Sequence, residues 1–134
     1  MATREYGIVV GRQAAVDLST KLYRVVKLHS VTGQVTSMSA ASDKPYGILL
    51  NTPSANQNAS VQLICGGGTA KVSAEATIAL GAYVMSSADG QAQSATPYAG
   101  TGTSRIFGVC EEAATSAANV VTIMLNPPVA AGIA

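Results

Sequence analysis

The chain repeats itself at a distance of about 60 residues, and this duplication limits its possible folds more than any other feature. The stretches 17–64 and 77–124 carry the same anchors in the same order. Ordered anchors indicate an internal duplication, so we expect two similar halves. The matched residues are Leu18 with Ile78, Tyr23 with Tyr83, Gly33-Gln34 with Gly90-Gln91, Tyr46-Gly47-Ile48 with Phe107-Gly108-Val109, and Val61, Leu63 and Ile64 with Val121, Ile123 and Met124.

Each copy has the pattern of about four β-strands. A run rich in β-branched and aromatic residues, 23–29, leads into a turn that ends at Gly33, and alternating residues follow, which predicts a hairpin. The second copy has Asp89-Gly90 at the corresponding turn. A glycine within a strand pattern, at Gly47 and Gly108, indicates a bulge or the close approach of another backbone. The predicted fold class is all-β, a compact β-barrel or sandwich built from two duplicated halves of about four strands each.

The duplication also suggests domain boundaries. Residues 1–15 precede it and are predicted to form an extended N-terminal arm, while 16–126 form a single β domain. The double proline at Pro127-Pro128 is expected to stop the last strand, which leaves 127–134 as a loosely held C-terminal tail.

Composition excludes several functional classes. Charged residues make up 11% of the 134 residues and the net charge is +1, so nothing indicates a nucleic-acid partner. No segment reaches the roughly 18 apolar residues needed to span a membrane, and the N-terminus lacks the apolar stretch of an export signal. Without export, Cys65 and Cys110 are interpreted as small buried hydrophobic residues that form no disulfide. A surface so poor in charge suggests contact with other protein.

No group of residues has the pattern of a catalytic or metal site. The lone histidine, His29, has no carboxylate nearby in sequence, and a structural role is expected. The glycine-rich stretch 66–71 lacks the GK[ST] ending of a phosphate loop and is interpreted as a turn or bulge. Glu111 and Glu112 are adjacent, and neighbours on a strand point to opposite faces. The sequence therefore predicts no enzyme, no catalytic residue, no metal ligands and no cofactor.

The order of these motifs resembles the capsid decoration, or cement, proteins of tailed bacteriophages. The resemblance covers roughly 17–125. It rests on the loop Gly47-Ile48-Leu49-Leu50-Asn51-Thr52-Pro53, the hairpin Ala88-Asp89-Gly90-Gln91-Ala92, and the closing patterns Gly108-Val109-Cys110-Glu111-Glu112-Ala113-Ala114 and Val121-Thr122-Ile123-Met124-Leu125.

This resemblance implies a β-rich protein, commonly a homotrimer, on the outer capsid surface of a virion that is assembled in the host cytoplasm. Its partners would be the major capsid (coat) protein, whose neighbouring subunits it clamps, and other copies of itself. Other virion structural subunits, such as a head-fibre base, a tail-tube or a coat-lattice component, stay open as alternatives.

The N-terminal arm is the candidate contact site. Its strand-like residues Tyr6, Ile8 and Val10 would share one face, and Arg4 and Arg12 would flank the contact. An exposed strand of this kind can add to the sheet edge of a coat subunit or a sister subunit. The alternative is that these residues form the first strand of the chain's own sheet.

Overall fold

The computed structural model of this chain describes residues 7–40, 43–95 and 104–131. Apart from a 3₁₀ turn at Ile64–Gly66, their regular structure is β-strand. The strands are β1 (Val9–Gln13), β2 (Val25–Leu28), β3 (Val35–Ser37), β4 (Gly47–Leu49), β5 (Asn58–Leu63), β6 (Thr69–Ser73), β7 (Tyr83–Ser86), β8 (Ala92–Ser94), β9 (Ser104–Cys110) and β10 (Val120–Ala131).

The strands form two five-stranded antiparallel sheets with the same topology. The first half has the order β1-β5-β4-β2-β3, and the second has the order β6-β10-β9-β7-β8. In each half the sheet curls until its outer strands approach each other, at a parallel bridge between Ala14 and Val35 in the first and between Ala74 and Ala92 in the second. The all-β prediction is confirmed, with five strands in each half and not four.

The strand pairings define the repeat and correct part of the sequence alignment. The Leu63 N–H donates to the Ile8 carbonyl, and the Leu125 N–H donates to the Gly68 carbonyl, so the structural repeat covers 8–63 and 68–125. Gly47 and Gly108 correspond, as predicted, but the last strand was aligned out of register. The pairs that the pairings support are Val26 with Val84, Gly47 with Gly108, Val61 with Ile123 and Leu63 with Leu125.

The predicted match of Tyr23 with Tyr83 is also wrong. The structural counterpart of Tyr23 is Gly81, because the N–H groups of both donate to the strand after the hairpin, to Leu49 at 2.9 Å and to Cys110 at 2.8 Å. Both residues have a positive φ, 60° for Tyr23 and 81° for Gly81. The identity of Tyr23 and Tyr83 is coincidental, because the two halves share a backbone conformation at Tyr23 and Gly81 and not a residue type.

The structure corrects the predicted arm. Val9–Gln13 form β1, which pairs with β5 from the Val9–Gln62 pair to the Gln13–Asn58 pair. Its counterpart is β6, Thr69–Ser73, which pairs with β10 in the same way. The alternative that these residues form the first strand of the chain's own sheet is therefore correct for residues 9–13. The counterpart was missed because the glycine-rich turn before it drew Thr69, Ala70 and Lys71 into a predicted loop.

The predicted C-terminal tail is wrong up to residue 131. β10 continues to Ala131 and pairs again with β9 from Val129 to Ala131. The two prolines do not stop the strand because they lie in a register shift between Leu125 and Val129, where the ladder needs no donor from them.

The two strand glycines permit close contact between neighbouring strands, as predicted. A Cβ on Gly108 would lie 2.5 Å from Ile123 Cγ2 and 2.5 Å from the Met124 carbonyl oxygen. A Cβ on Gly47 would meet Val61 Cγ1 and the Gln62 carbonyl oxygen in the same way. Neither position tolerates a side chain without moving the adjacent strand.

Two apolar clusters form the core. The first-half cluster contains Ala14, Leu18, Val26, Val35, Leu49, Ala59 and Val61. Each member has its structural counterpart in the larger cluster, in the order Ala74, Ile78, Val84, Ala92, Cys110, Val121 and Ile123. The larger cluster adds residues from both halves and so joins them. Cys110 is therefore a small core residue, as expected, whereas the prediction that Cys65 is buried is wrong, because it is exposed.

Candidate binding surfaces

The first candidate surface is the line along which β1 approaches β3, called here the first seam. Arg12 of β1 spans it: Nε donates to the Tyr46 hydroxyl at 2.8 Å and a terminal nitrogen donates to the Gly33 carbonyl at 2.9 Å. The guanidinium carbon lies 5.4 Å from the centre of the Tyr46 ring, within the range of a cation–π contact. Arg12 thus holds the β2–β3 turn against β1.

A shallow groove of about 380 Å³ opens along this seam. The Gln34 amide donates to Gln13 Oε1 at 2.7 Å and the Ala15 N–H donates to the Val35 carbonyl at 2.8 Å, which closes one end. The groove is open to solvent and has both polar and apolar walls, which suits adhesion to another protein surface. Its lining is Val10, Gly11, Arg12, Gln13, Thr32, Gly33, Gln34 and Tyr46.

The corresponding seam of the second half is apolar and covered. The counterparts of Arg12 and Tyr46 are Val72 and Phe107, and both are 0% exposed. The first half covers them: the Val25 N–H donates to the Gly90 carbonyl at 2.7 Å. The halves therefore meet through unlike surfaces.

Two further hydrogen bonds attach β6 to the first half. The Ser73 N–H donates to the Tyr23 carbonyl at 2.8 Å, and the Gln62 side-chain amide donates to the Thr69 carbonyl at 2.9 Å. These bonds occupy the outer edge of β6. The matching edge of β1 faces solvent along Val9, Gly11 and Gln13.

The surface of the first half that covers the second seam is called here the covering face. It is formed by Tyr23, Val25, Ile48 and Gln62, and apolar contacts to the shared core come from Val25, Met38, Ile48 and Ile64. The equivalent face of the second half is formed by Gly81, Tyr83, Val109 and Met124, and no described residue covers it. Its large side chains are exposed, Tyr83 at 54% and Met124 at 40%. This second covering face is thus an exposed surface with large apolar side chains.

A second groove, of about 770 Å³, lies on the first half between Val16, Leu28, Lys44 and the β2–β3 hairpin. Asp43 organises one wall, because its Oδ2 accepts from Lys27 Nζ at 2.8 Å and from the Ser39 N–H at 2.9 Å. The Lys27 ammonium, followed by the Ser39 N–H, holds the pKa of Asp43 well below its usual range. The Asp43 carboxylate therefore stabilises its own loop.

The predicted contact residues fall in different places. Arg4 and Tyr6 lie outside the described residues. Ile8 precedes β1 and is exposed, whereas Val10 is half-buried and packs against the first-half core. Arg12 is exposed but already engaged with Tyr46, so it does not stand free beside a partner. The structure places Val10 and Arg12 along the first seam.

The residues considered for chemistry have structural roles in the described part of the chain. His29 Nδ1 accepts from the N–H groups of Val31 and Thr32 in its own turn, at 3.3 and 3.4 Å. Glu112 Oε1 accepts from the Thr122 N–H at 3.2 Å, next to Cys110, whose pKa is raised by burial. Across residues 7–40, 43–95 and 104–131, no three His, Cys, Asp or Glu residues come together as a metal site. In the same residues, no helix is long and apolar enough to cross a membrane.

Sequence reasoning missed Tyr46 as a partner of Arg12, and it missed the second covering face. The two seam residues are 34 positions apart, so only the fold brings them together. The covering face was hidden by the alignment, because the sequence matched Tyr83 with Tyr23, whereas the strand pairings match it with buried Val25.

Comparisons with known proteins yield a likeness among the solved structures. No family model matches the chain, and no curated protein matches it. Among solved structures, the chain is similar to the N base of head fiber gp8.5 in bacteriophage phi29, with a TM-score of 0.69. The likeness covers 92% of this chain and 97% of that chain at 16% sequence identity, and so shows a shared fold.

Proposed function

We propose that this chain is a structural subunit of a bacteriophage head, and that it forms the base by which a fibre attaches to the outside of the head. The observation that carries the proposal is the likeness to the phi29 head-fiber base over nearly the whole of both chains. A shared fold of that extent includes both halves and the way in which they pack, so it is more informative than the likeness of one common sheet.

The surface chemistry supports a role in adhesion and not in catalysis. In the described residues, the side chains of His29, Asp43 and Glu112 accept hydrogen bonds within turns and loops. The second covering face exposes Tyr83 and Met124, aromatic and sulphur-containing side chains of the kind enriched at protein interfaces. The proposed role is non-enzymatic and needs no cofactor.

The proposed partners are the major capsid protein and other copies of the chain, as a homotrimer on the outer capsid surface, with no nucleic acid and no membrane. Assembly would take place in the host cytoplasm. The N-terminal segment with Arg4, Tyr6, Ile8, Val10 and Arg12 stays a proposed contact with a coat subunit or a sister subunit.

Binding to phage heads tests this function. Heads of the phage that encodes the chain, prepared without the protein, should bind it at a fixed saturating ratio, and cryo-electron microscopy should show its density outside a complete coat. Heads that do not bind the protein, or density inside the coat or on the tail, would contradict the proposal.

Decoration, or cementing, is the second candidate, and it rests on the sequence motifs that run from Gly47 to Leu125. The two roles differ in their effect on the head. A cement protein raises the temperature at which packed heads release DNA, whereas a fibre base binds and leaves that temperature unchanged. The same reconstituted heads therefore discriminate between them.

The fold also sharpens a truncation experiment on the N-terminal segment. Deleting residues 1–7 leaves β1 intact, so the unfolding temperature should stay the same while head binding weakens if the segment contacts the coat. Deleting residues 1–15 removes β1 from its pairing with β5 and should lower the unfolding temperature. Unchanged head binding after the shorter deletion would exclude a coat contact by residues 1–7.

A further inference from the structure

The two halves of the chain are joined by unlike surfaces, a covering face on one and a seam on the other. Each half has one surface of each kind because the halves share their fold. The internal contact uses the covering face of the first half and the seam of the second. Within residues 7–40, 43–95 and 104–131, nothing covers the first seam or the second covering face, which lie on different halves of the chain.

We propose that copies of this chain associate head to tail, with the second covering face of one copy on the first seam of the next. The contact between copies then repeats the contact between the halves. This inference concerns the self-association of the protein and does not depend on its binding to a phage head.

The internal contact specifies which groups should meet. Inside the chain the Gln62 side chain reaches Thr69, and the counterparts of these residues are Met124 and Val9. The exposed Met124 of one copy should therefore lie against the outer edge of β1 in the next.

The same logic gives the central contact. Inside the chain the Val25 N–H binds the Gly90 carbonyl, and the counterparts are Tyr83 and Gly33. Tyr83 should therefore lie over the β2–β3 turn, at the 380 Å³ groove that Gly33 and Tyr46 line. An exposed aromatic side chain that enters a groove of its partner is a common anchor of protein interfaces.

The two seams differ in polarity in a way that fits this assignment. The second seam presents Val72 and Phe107 and is permanently covered, whereas the first presents Arg12 and the Tyr46 hydroxyl. A seam that is exposed to solvent until a second copy binds is expected to be more polar than a seam that is covered within the same chain. The contact between copies should therefore be weaker than the contact between halves.

Contacts between unlike surfaces have a further consequence for the assembly. They produce a ring if the rotation between successive copies closes, and an open filament if it does not. A contact on a twofold axis would instead join identical surfaces. Val9 belongs to the first seam and Met124 to the covering face of the other half, so pairing either surface with itself about a twofold axis does not join position 9 to position 124, whereas the head-to-tail contact does.

Directional cross-linking tests the proposal. In a Cys65→Ser background, one preparation carries Val9→Cys and another carries Met124→Cys. After mild oxidation, the mixture should give a disulfide-linked dimer of one chain of each kind, and neither preparation alone should give a dimer. Absence of the mixed dimer, or dimers formed as readily within one preparation, would overturn the proposal.

Leu28 provides a matched control, since it is 40% exposed, as Met124 is, but lines the other groove. A Leu28→Cys preparation should not cross-link to Val9→Cys. In sedimentation equilibrium, Tyr83→Lys should weaken self-association by about tenfold or more, while Leu28→Lys should leave it unchanged. Melting curves for both variants confirm folding. Unchanged association of the Tyr83→Lys variant, or no association of the unmodified chain at any concentration, would refute the head-to-tail contact.

Discussion

Replacing Gly108 by alanine should destabilise the protein strongly, because the added methyl group has no room between β9 and β10. The Cβ would lie 2.5 Å from Ile123 Cγ2 and 2.5 Å from the Met124 carbonyl oxygen. Carbon atoms in favourable contact lie about 3.5–4.0 Å apart, so each contact is short by roughly 1 Å. One obstacle is backbone, which can move only if the strand pairing changes.

Overpacking of this kind costs about 1–3 kcal/mol, and the backbone obstacle places Gly108→Ala at the upper end, about 2–3 kcal/mol. In a domain of this size, each kcal/mol corresponds to about 3–4 °C, so the melting temperature should fall by about 6–12 °C. Gly47→Ala should have the same effect, because a Cβ there meets Val61 and the Gln62 carbonyl oxygen.

Gly81→Ala is the matched control. Gly81 has φ of 81° but nothing within 4 Å of its added Cβ, and its counterpart Tyr23 carries a side chain at φ of 60°, so only the backbone conformation opposes the substitution. The expected loss is about 1 kcal/mol. Urea unfolding followed by circular dichroism measures all three variants. If Gly108→Ala loses no more stability than Gly81→Ala, the close approach of β9 and β10 is not the reason for the glycine.

Three other predictions concern an ion pair, the exposure of the two cysteines and one backbone angle. Because the pKa of Asp43 is lowered by Lys27, its ionised form stabilises the fold above the unfolded pKa, about 4, and this stabilisation is lost as pH falls through the lowered value. Asp43→Asn should therefore be less stable than the unmodified chain at pH 7, and the difference in urea midpoint should shrink in acid. Alkylation of the native protein should label Cys65 at once and Cys110 only after unfolding, as read by mass spectrometry. Ala118→Gly should raise the free energy of unfolding by up to about 1 kcal/mol in urea titration, because Ala118 has φ of 66°.

The all-β class and the duplication could be predicted because both depend on patterns along the chain. Turn glycines such as Gly33 and Gly90 have a positive φ in both halves, and this requirement keeps glycine at both positions. The first strand of each half could not be matched because β1 reads VVGRQ and β6 reads TAKVS. These strands share a position in the sheet and not a residue pattern, since the outer edge of β1 is exposed to solvent and that of β6 is covered by the first half.

The surfaces were harder to predict than the fold. Arg12 was singled out for its place in an exposed strand. Its partner Tyr46 directly precedes β4, and only the sheet topology brings the two side chains together. The prolines at 127 and 128 indicated a strand end by their local chemistry, and a bulge accommodates them instead. Local rules fail here because neighbouring strands decide which backbone groups need partners.

The difference in polarity between the two seams has a consequence for folding during synthesis on the ribosome. The first half emerges first, and its core cluster is drawn wholly from its own residues. When Val72 and Phe107 emerge, the surface that covers them is already folded, so they can be buried as soon as they are made. Until then the apolar covering face of the first half, with Val25 and Ile48, stays exposed. The order of the two copies therefore decides which of the two apolar surfaces waits for its partner during translation.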